Sequence, residues 1–293
     1  MKIVISIVTY KNESHLNKNL ETLFQSDVMS YNPHIEIINN HSNFKLREEF
    51  KDKVSVIHNT VRPDWSTGHI ARDYNSAYVR HFKSLVTPAV DWVITSHDDV
   101  VWKPNWAYNL FDVVVKQNGF NLVTSGNGDS VVALQAEALR NTGLYDERFA
   151  CIGWYEGDMW NRCVMWNRER SSINDHGHGR VHNPSDNGKI GWAQHQPAYG
   201  VGRLDSIFIT QPYSNEDQAT AISERDWTSQ WAHAVWDAKW GSVRNTHWPT
   251  FYSNPPTRPV GDSYVFYPYF EKDVYDLEKK GYITPNTHGL SSI

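Results

Sequence analysis

The sequence predicts an α/β fold, an open mixed sheet flanked by helices, with a Trp-rich, mainly irregular and helical C-terminal extension. Two observations predict the sheet. Runs rich in Val and Ile alternate with segments of helical apolar spacing over the first ~120 residues, the pattern of parallel βαβ units. Each of these runs also ends on a polar cluster, and ligands of open α/β sheets lie beyond the carboxyl ends of their strands. The extension is inferred from a change of character near Gly200, after which tryptophans recur at helical spacing.

Ile3 to Val8 is β-branched and reads as a buried strand closing on Thr9-Tyr10-Lys11-Asn12. Glu13 to Phe24 follows with Leu16, Leu20, Leu23 and Phe24 near helical spacing. His34 to Ile38 is a second strand, closing on Asn39-Asn40-His41-Ser42, with a short helix near Lys45–Phe50. Val54 to Ile57 is a third, ending at His58-Asn59. A loop with Pro63 and Gly68 leads into a helix from about Ile70 to Leu85, and Asp91–Ser96 is the fourth strand. Beyond it the chain continues with the apolar segments Phe120–Ser125 and Val131–Leu134 and a helix near Gln135–Asn141. The polar clusters at the four strand ends point to one shared site, although loops are polar in any protein.

The chain has 293 residues, enough to bury a sizeable core. Charged residues make up 21% and hydrophobic residues 40%, a globular rather than a disordered balance. The net charge of -5 disfavours a surface built mainly for duplex nucleic acid and leaves room only for a local basic groove. Cys151 and Cys163 are too few for a disulfide framework and lack metal-finger spacing. They read as free thiols in a reducing compartment, so a cytoplasmic location is expected. The N-terminus lacks a basic leader and a small-residue cleavage site and reads as a first strand, not a signal peptide. No run approaches the ~20 apolar residues of a membrane span.

The chemistry concentrates in Trp92-Val-Ile-Thr-Ser-His-Asp-Asp-Val-Val-Trp102. Two carboxylates and an imidazole at the end of a buried strand are costly to enclose without a partner, and a divalent cation is such a partner. On extended backbone His97 and Asp99, two apart, would point the same way. The plainer reading is a polar strand end and a turn, with Lys103-Pro104 opening a helix.

Glu156 and Asp158 lie at or before the first turn of a helix entered from Gly153, where carboxylates meet the positive helix end; plain capping is the other reading. Asp175-His176-Gly-His178-Gly-Arg180-Val-His182 packs three histidines into a short span, suited to metal or to a solvated loop. Ser214–Asp217 is like a capping box, and Trp227, Trp231 and Val235 follow at i, i+4 and i+8 as a core stripe. A strand over Tyr264–Tyr267 and a charged helix near Glu271–Lys280 complete the expectations.

In this order the segments resemble the family 2 glycosyltransferases of the GT-A fold. Val4-Ile-Ser-Ile-Val-Thr-Tyr10 with its helix is similar to that family's first βα unit. Ile37-Ile-Asn-Asn-His-Ser42 is similar to its second strand, with Asn39 where an Asp often contacts the base. Gly68-His-Ile-Ala-Arg-Asp73 is similar to Gly-x-x-x-Ala-Arg-Asn, and His97-Asp98-Asp99 stands where the family carries Asp-x-Asp. Gly143-Leu-Tyr-Asp-Glu-Arg-Phe149 is similar to Gly-x-Phe-Asp-Glu-x-Phe, and Glu156-Gly-Asp158-Met-Trp-Asn-Arg162 to Asp-x-Asp-x-x-x-Arg. The resemblance covers about residues 1–185. It divides the chain into a nucleotide-sugar-binding half (1–125), an acceptor and catalytic half of the same domain (126–210), and the extension (211–293).

The resemblance implies inverting transfer of a sugar from a nucleotide diphosphate donor to an acceptor hydroxyl. Fold does not fix the acceptor; the lack of an apolar span and of a basic amphipathic segment in the sequence suggests a soluble one: a glycan, a protein-linked glycan or a modified nucleobase. The resemblance also implies Mn²⁺ or Mg²⁺ on Asp99 and His97, with Asp98 direct or through water and His178 or His182 completing the shell. Glu156 would be the base and Asp158 would orient the acceptor or cap its helix. Thr9, Tyr10, Glu13, Asn39, Arg72 and Asp98 would face the nucleotide. The altered His97 and Asn39 also suit a catalytically inactive nucleotide-sugar or glycan-binding protein. A nucleotidyltransferase would need a Gly-rich, basic loop after the first strand, and Thr9-Tyr10-Lys11-Asn12-Glu13 offers none.

Overall fold

The structure, a computed structural model, describes residues 1–10, 13–40, 44–59, 69–116, 121–124, 130–147, 149, 154–156, 158–159 and 209–210. The expected alternation is present. Strand β1 (Ile3–Thr9), helix α1 (Glu13–Gln25), β2 (His34–Asn39), α2 (Glu48–Lys51), β3 (Ser55–His58), α3 (His69–Phe82) and β4 (Trp92–His97) follow one another. A short β5 (Val101–Trp102) precedes α4 (Trp106–Tyr108), which runs on through the π-helical turns Asn109–Val115. Strands β6 (Leu122–Thr124) and β7 (Val131–Leu134), the helix Ala136–Thr142 and β8 (Ile209–Thr210) complete the described elements. Each predicted strand of the first 135 residues is found, with ends shifted by one or two residues.

Six strands form one sheet in the order β3-β2-β1-β4-β7-β6. The first four are parallel, while β7 is antiparallel to both β4 and β6, so the sheet is open and mixed. In β1, alternate residues face opposite layers. Ile3, Ile5 and Ile7 meet Leu16, Leu20 and Leu23 of α1. Val4 and Val8 belong to the other core, with Tyr74, Ala77, Tyr78 and Phe82 of α3. Burying each of these large side chains contributes about 1.5–3 kcal/mol, so the two layers hold the sheet from both sides. The helix Ala136–Thr142 stops at Gly143, whose φ of 73° suits a residue without a Cβ, and whose N–H donates to Leu139 O at 2.7 Å.

The register places Thr9 beside Asn39, Asn39 beside His58, and Val8 beside His97. The carboxyl ends of four parallel strands therefore form one rim. The Trp-rich extension, the 176–182 histidine cluster, Ser214–Asp217 and the expected elements beyond Gly200 lie outside the described residues, except for β8, which pairs with β5.

Candidate active site

The rim is built around the turn after β4. The strand ends at His97, and Asp98 and Asp99 lie in a turn. The expectation that His97 and Asp99 point together along extended backbone therefore does not hold, because the chain changes direction between them. His97 keeps the strand alternation: with Val93 and Thr95 it faces α3. Thr95 Oγ1 is 2.9 Å from the Tyr78 hydroxyl, and the His97 ring is 6.1 Å from that of Tyr74.

Asp98 turns back to β1. Its Oδ2 accepts a 2.6 Å bond from Thr9 Oγ1 and a 3.4 Å bond from the Tyr10 N–H. Burial pushes the Asp98 carboxyl up to about 7, and the charge of Asp99 adds to the effect. The hydrogen bonds from Thr9 and Tyr10 and the proximity of His97 offset this only in part. The backbone of the turn is pinned from three sides. His97 N–H donates to Ser130 O at 3.0 Å, and His97 O accepts from Ser96 Oγ at 2.7 Å and from Asn19 Nδ2 at 3.0 Å. Asn19 Oδ1 in turn accepts the Trp102 indole N–H at 2.9 Å, so one buried amide ties both ends of the turn to α1.

A divalent cation fits this donor set. The charge of Asp99 disfavours the ionised form of Asp98, and a positive ion between them would offset that repulsion and favour the Asp98 carboxylate. Thr9, Tyr10, Asp98 and the backbone of His97 thus belong to one connected unit. Glu13 opens α1, and its carbonyl accepts from Asn17 Nδ2 at 2.6 Å.

A second network occupies the β2–β3 side. Asp73 is 1% exposed and accepts from Asn40 Nδ2 at 2.6 Å and from Asn59 Nδ2 at 3.0 Å. Arg72 reaches Asp73 Oδ1 at 3.1 Å and Asn40 Oδ1 at 3.3 Å through Nη2. Asn40 N–H donates to Thr9 O at 3.0 Å, which links this network to the strand that carries Thr9. Arg72 is thereby a partly exposed cation held at the rim by a buried carboxylate. Asn39 Nδ2 lies 3.1 Å from His58 Nδ1, and Phe44 meets the His58 ring edge-on at 5.7 Å.

Glu156 and Asp158 are 3% and 0% exposed. The ring of Tyr155, next to Glu156, stands perpendicular to Tyr145 at 5.4 Å; Tyr145 lies 6.0 Å from Tyr74, which neighbours His97. A file of aromatic rings thus leads from the Glu156 segment to the end of β4. His178 and His182 lie outside the described residues. Asn19, Asn40, Asn59 and Asp73 were not singled out by sequence reasoning. The pairs Asn39-Asn40, His58-Asn59 and Arg72-Asp73 are visible as polar strand ends and a helix start, but which partners meet is not.

No protein-family model matches the chain, and no curated protein matches it. Among solved structures it is similar to TarS from S. aureus, at 12% identity and TM-score 0.42, covering 55% of this chain and 34% of that one. It is likewise similar to TarS 1-349 in complex with UDP, at 10% identity and TM-score 0.42, covering 55% of each chain. The mannosyltransferase PcManGT from Pyrobaculum calidifontis, in complex with GDP-Man and Mn2+, matches at 11% identity and TM-score 0.47, covering 86% of this chain and 66% of that one. The chain spans between about a third and two thirds of the length of these proteins. Among the described residues no helix is long and apolar enough to cross a membrane.

Proposed function

We propose that the chain is a metal-dependent inverting glycosyltransferase that moves a sugar from a nucleotide diphosphate donor to a hydroxyl of a soluble acceptor. The observation that carries this reading is the turn after β4, where Asp98, bonded to Thr9, is pushed up by burial and by Asp99. Such a pair suits a divalent cation beside an anionic leaving group. When bound, the cation, Mn²⁺ in preference to Mg²⁺ because of His97, supplies positive charge to the departing diphosphate. Asp99 and His97 would hold it, and Thr9 would keep Asp98 in place. Arg72, steadied by Asp73, adds a fixed positive charge at the rim. Asn39 and His58 would border the base.

In the reaction the acceptor oxygen bonds to the anomeric carbon as the bond from that carbon to the diphosphate oxygen breaks. Glu156 takes the acceptor proton, and Asp158 orients the acceptor. The enclosure of Glu156 and the aromatic neighbours Trp154 and Tyr155 suit a base that works away from bulk water.

The test is turnover of a panel of nucleotide sugars, with and without Mn²⁺, by wild type, Glu156→Gln and Asp99→Ala. Glu156→Gln should lower kcat by about 10²–10⁴-fold while retaining donor binding. Asp99→Ala should lose the Mn²⁺ dependence. Full activity in both variants removes the mechanism, and donor binding without turnover in wild type assigns the chain to ligand binding alone.

A further inference from the structure

We propose that His34, Glu36 and His81 form a separate site for a first-row transition-metal cation of the Zn²⁺ class, at the opposite end of the sheet from the rim. His34 opens β2, and Glu36, two residues on, shares its face toward α3. His81 lies in the last turn of α3. One ligand atom from each of the three lies within 4.8 Å of the others.

The geometry is near that of a formed site. Metal–ligand bonds of about 2.0–2.1 Å at tetrahedral angles put neighbouring ligand atoms about 3.3 Å apart. His81 Nε2 and Glu36 Oε2 are 3.0 Å apart. The His34 and His81 rings have centroids 5.6 Å apart at 56°, so both imidazoles converge on one region. The third ligand, His34, is exposed, so its side chain has room to turn toward the other two. Ser55 Oγ lies 3.2 Å from His34 Nε2 and steadies that ring from the neighbouring strand.

The donor set selects the ion. Two imidazoles and one carboxylate suit Zn²⁺, Co²⁺, Ni²⁺ or Cu²⁺ and not the oxygen-seeking Ca²⁺ or Mg²⁺. The negative end of α3 adds attraction for a cation. Arg80 opposes it, because its Nη2 already pairs with Glu36 Oε1 at 2.6 Å. The two demands fall on different oxygens. Ser6 Oγ, at 2.9 Å, and Arg80 Nη2 engage Oε1, while Oε2 carries the bond to His81, alongside a longer 3.2 Å bond from Arg80 Nε. A cation there would be held by His81 through Nε2, with the ring's proton on Nδ1 and any proton displaced from Nε2 passing to solvent. Arg80 keeps the affinity modest and makes the site a clip between the start of β2 and the end of α3.

The test uses the full chain stripped of metal and titrated with Co²⁺, read by visible absorption and by melting temperature. Wild type should bind one equivalent that His34→Ala loses or binds at least about tenfold more weakly. Asp99→Ala should retain that His34-dependent equivalent, which separates this site from the rim. His34 is exposed, so its removal should leave the metal-free melting temperature unchanged. Identical Co²⁺ titrations of wild type and His34→Ala overturn the proposal, as does loss of the His34-dependent equivalent in Asp99→Ala.

Discussion

Asp98→Asn should make the metal-free protein more stable while weakening its binding of a metal–nucleotide pair. The carboxyl has an ordinary value of 3.8 and is pushed to about 7 in the folded chain, by burial first and by Asp99 second. The folded chain therefore holds a proton that the unfolded chain has lost between about pH 4 and pH 7. Stability falls as pH rises through that window and levels off above it. A gap of about three units at 1.36 kcal/mol each is an upper figure of about 4 kcal/mol. Solvent at this partly exposed residue reduces it, so the expected gain for the Asn variant at pH 8 is about 2–4 kcal/mol. Asn retains an oxygen that can accept from Thr9 Oγ1 and from the Tyr10 N–H, and it removes the charge facing Asp99. The assay is urea unfolding of both proteins with chelator at pH 4, 6 and 8. The difference should be near zero at pH 4 and largest at pH 8. With Mn²⁺ and a nucleoside diphosphate, wild type should gain more stability than the variant. A difference that does not change with pH, or a less stable variant at pH 8, refutes the reasoning.

Two further perturbations test the supports of the sheet. Burial alone would raise the Glu36 carboxyl, but the hydrogen bonds from His81 and Arg80 outweigh it and lower it from 4.5 to about 2. Its contribution is present above about pH 4.5 and is lost as pH falls through 2; Glu36→Gln should therefore lose about 3 kcal/mol at pH 7, with less than half of that difference left at pH 3, as measured by urea unfolding at both values. Asn19→Ala leaves the buried Trp102 indole N–H without its acceptor and removes one donor from His97 O, so a loss of about 2–3 kcal/mol is expected. Asn19→Asp keeps the acceptor for Trp102 but turns an oxygen toward the His97 carbonyl, so calorimetry should find it at least as destabilised as Asn19→Ala.

Much of the sheet was legible because near-continuous β-branched runs mark strands buried on both faces, and that signal is local. Ile3, Ile5 and Ile7 face one layer and Val4 and Val8 the other wherever the strand lies, and the spacing of Leu16, Leu20 and Leu23 marks the helix that covers the odd face. The polar strand ends were legible for the same reason, since Thr9, Asn39, His58 and His97 each end an apolar run. The pairing of polar groups was not. Nothing in the spacing of Glu36 and Arg80, or of Asn19 and Trp102, indicates that they meet, because each pair is joined only after distant segments pack.

The sequence alone therefore determined which segments form the strands of the main sheet, that those strands are buried, and which polar residues close them at the carboxyl rim; these follow from side-chain chemistry and local pattern. Only the tertiary structure decided that β7 enters antiparallel between β4 and β6, that Asp99 leaves the strand direction of His97, and that Asp98 is held against Thr9. The physical reason is that an apolar pattern specifies a surface to be covered without naming its partner. Strand order, and the low-dielectric neighbourhood that shifts a carboxyl, arise from contacts between residues far apart in the chain.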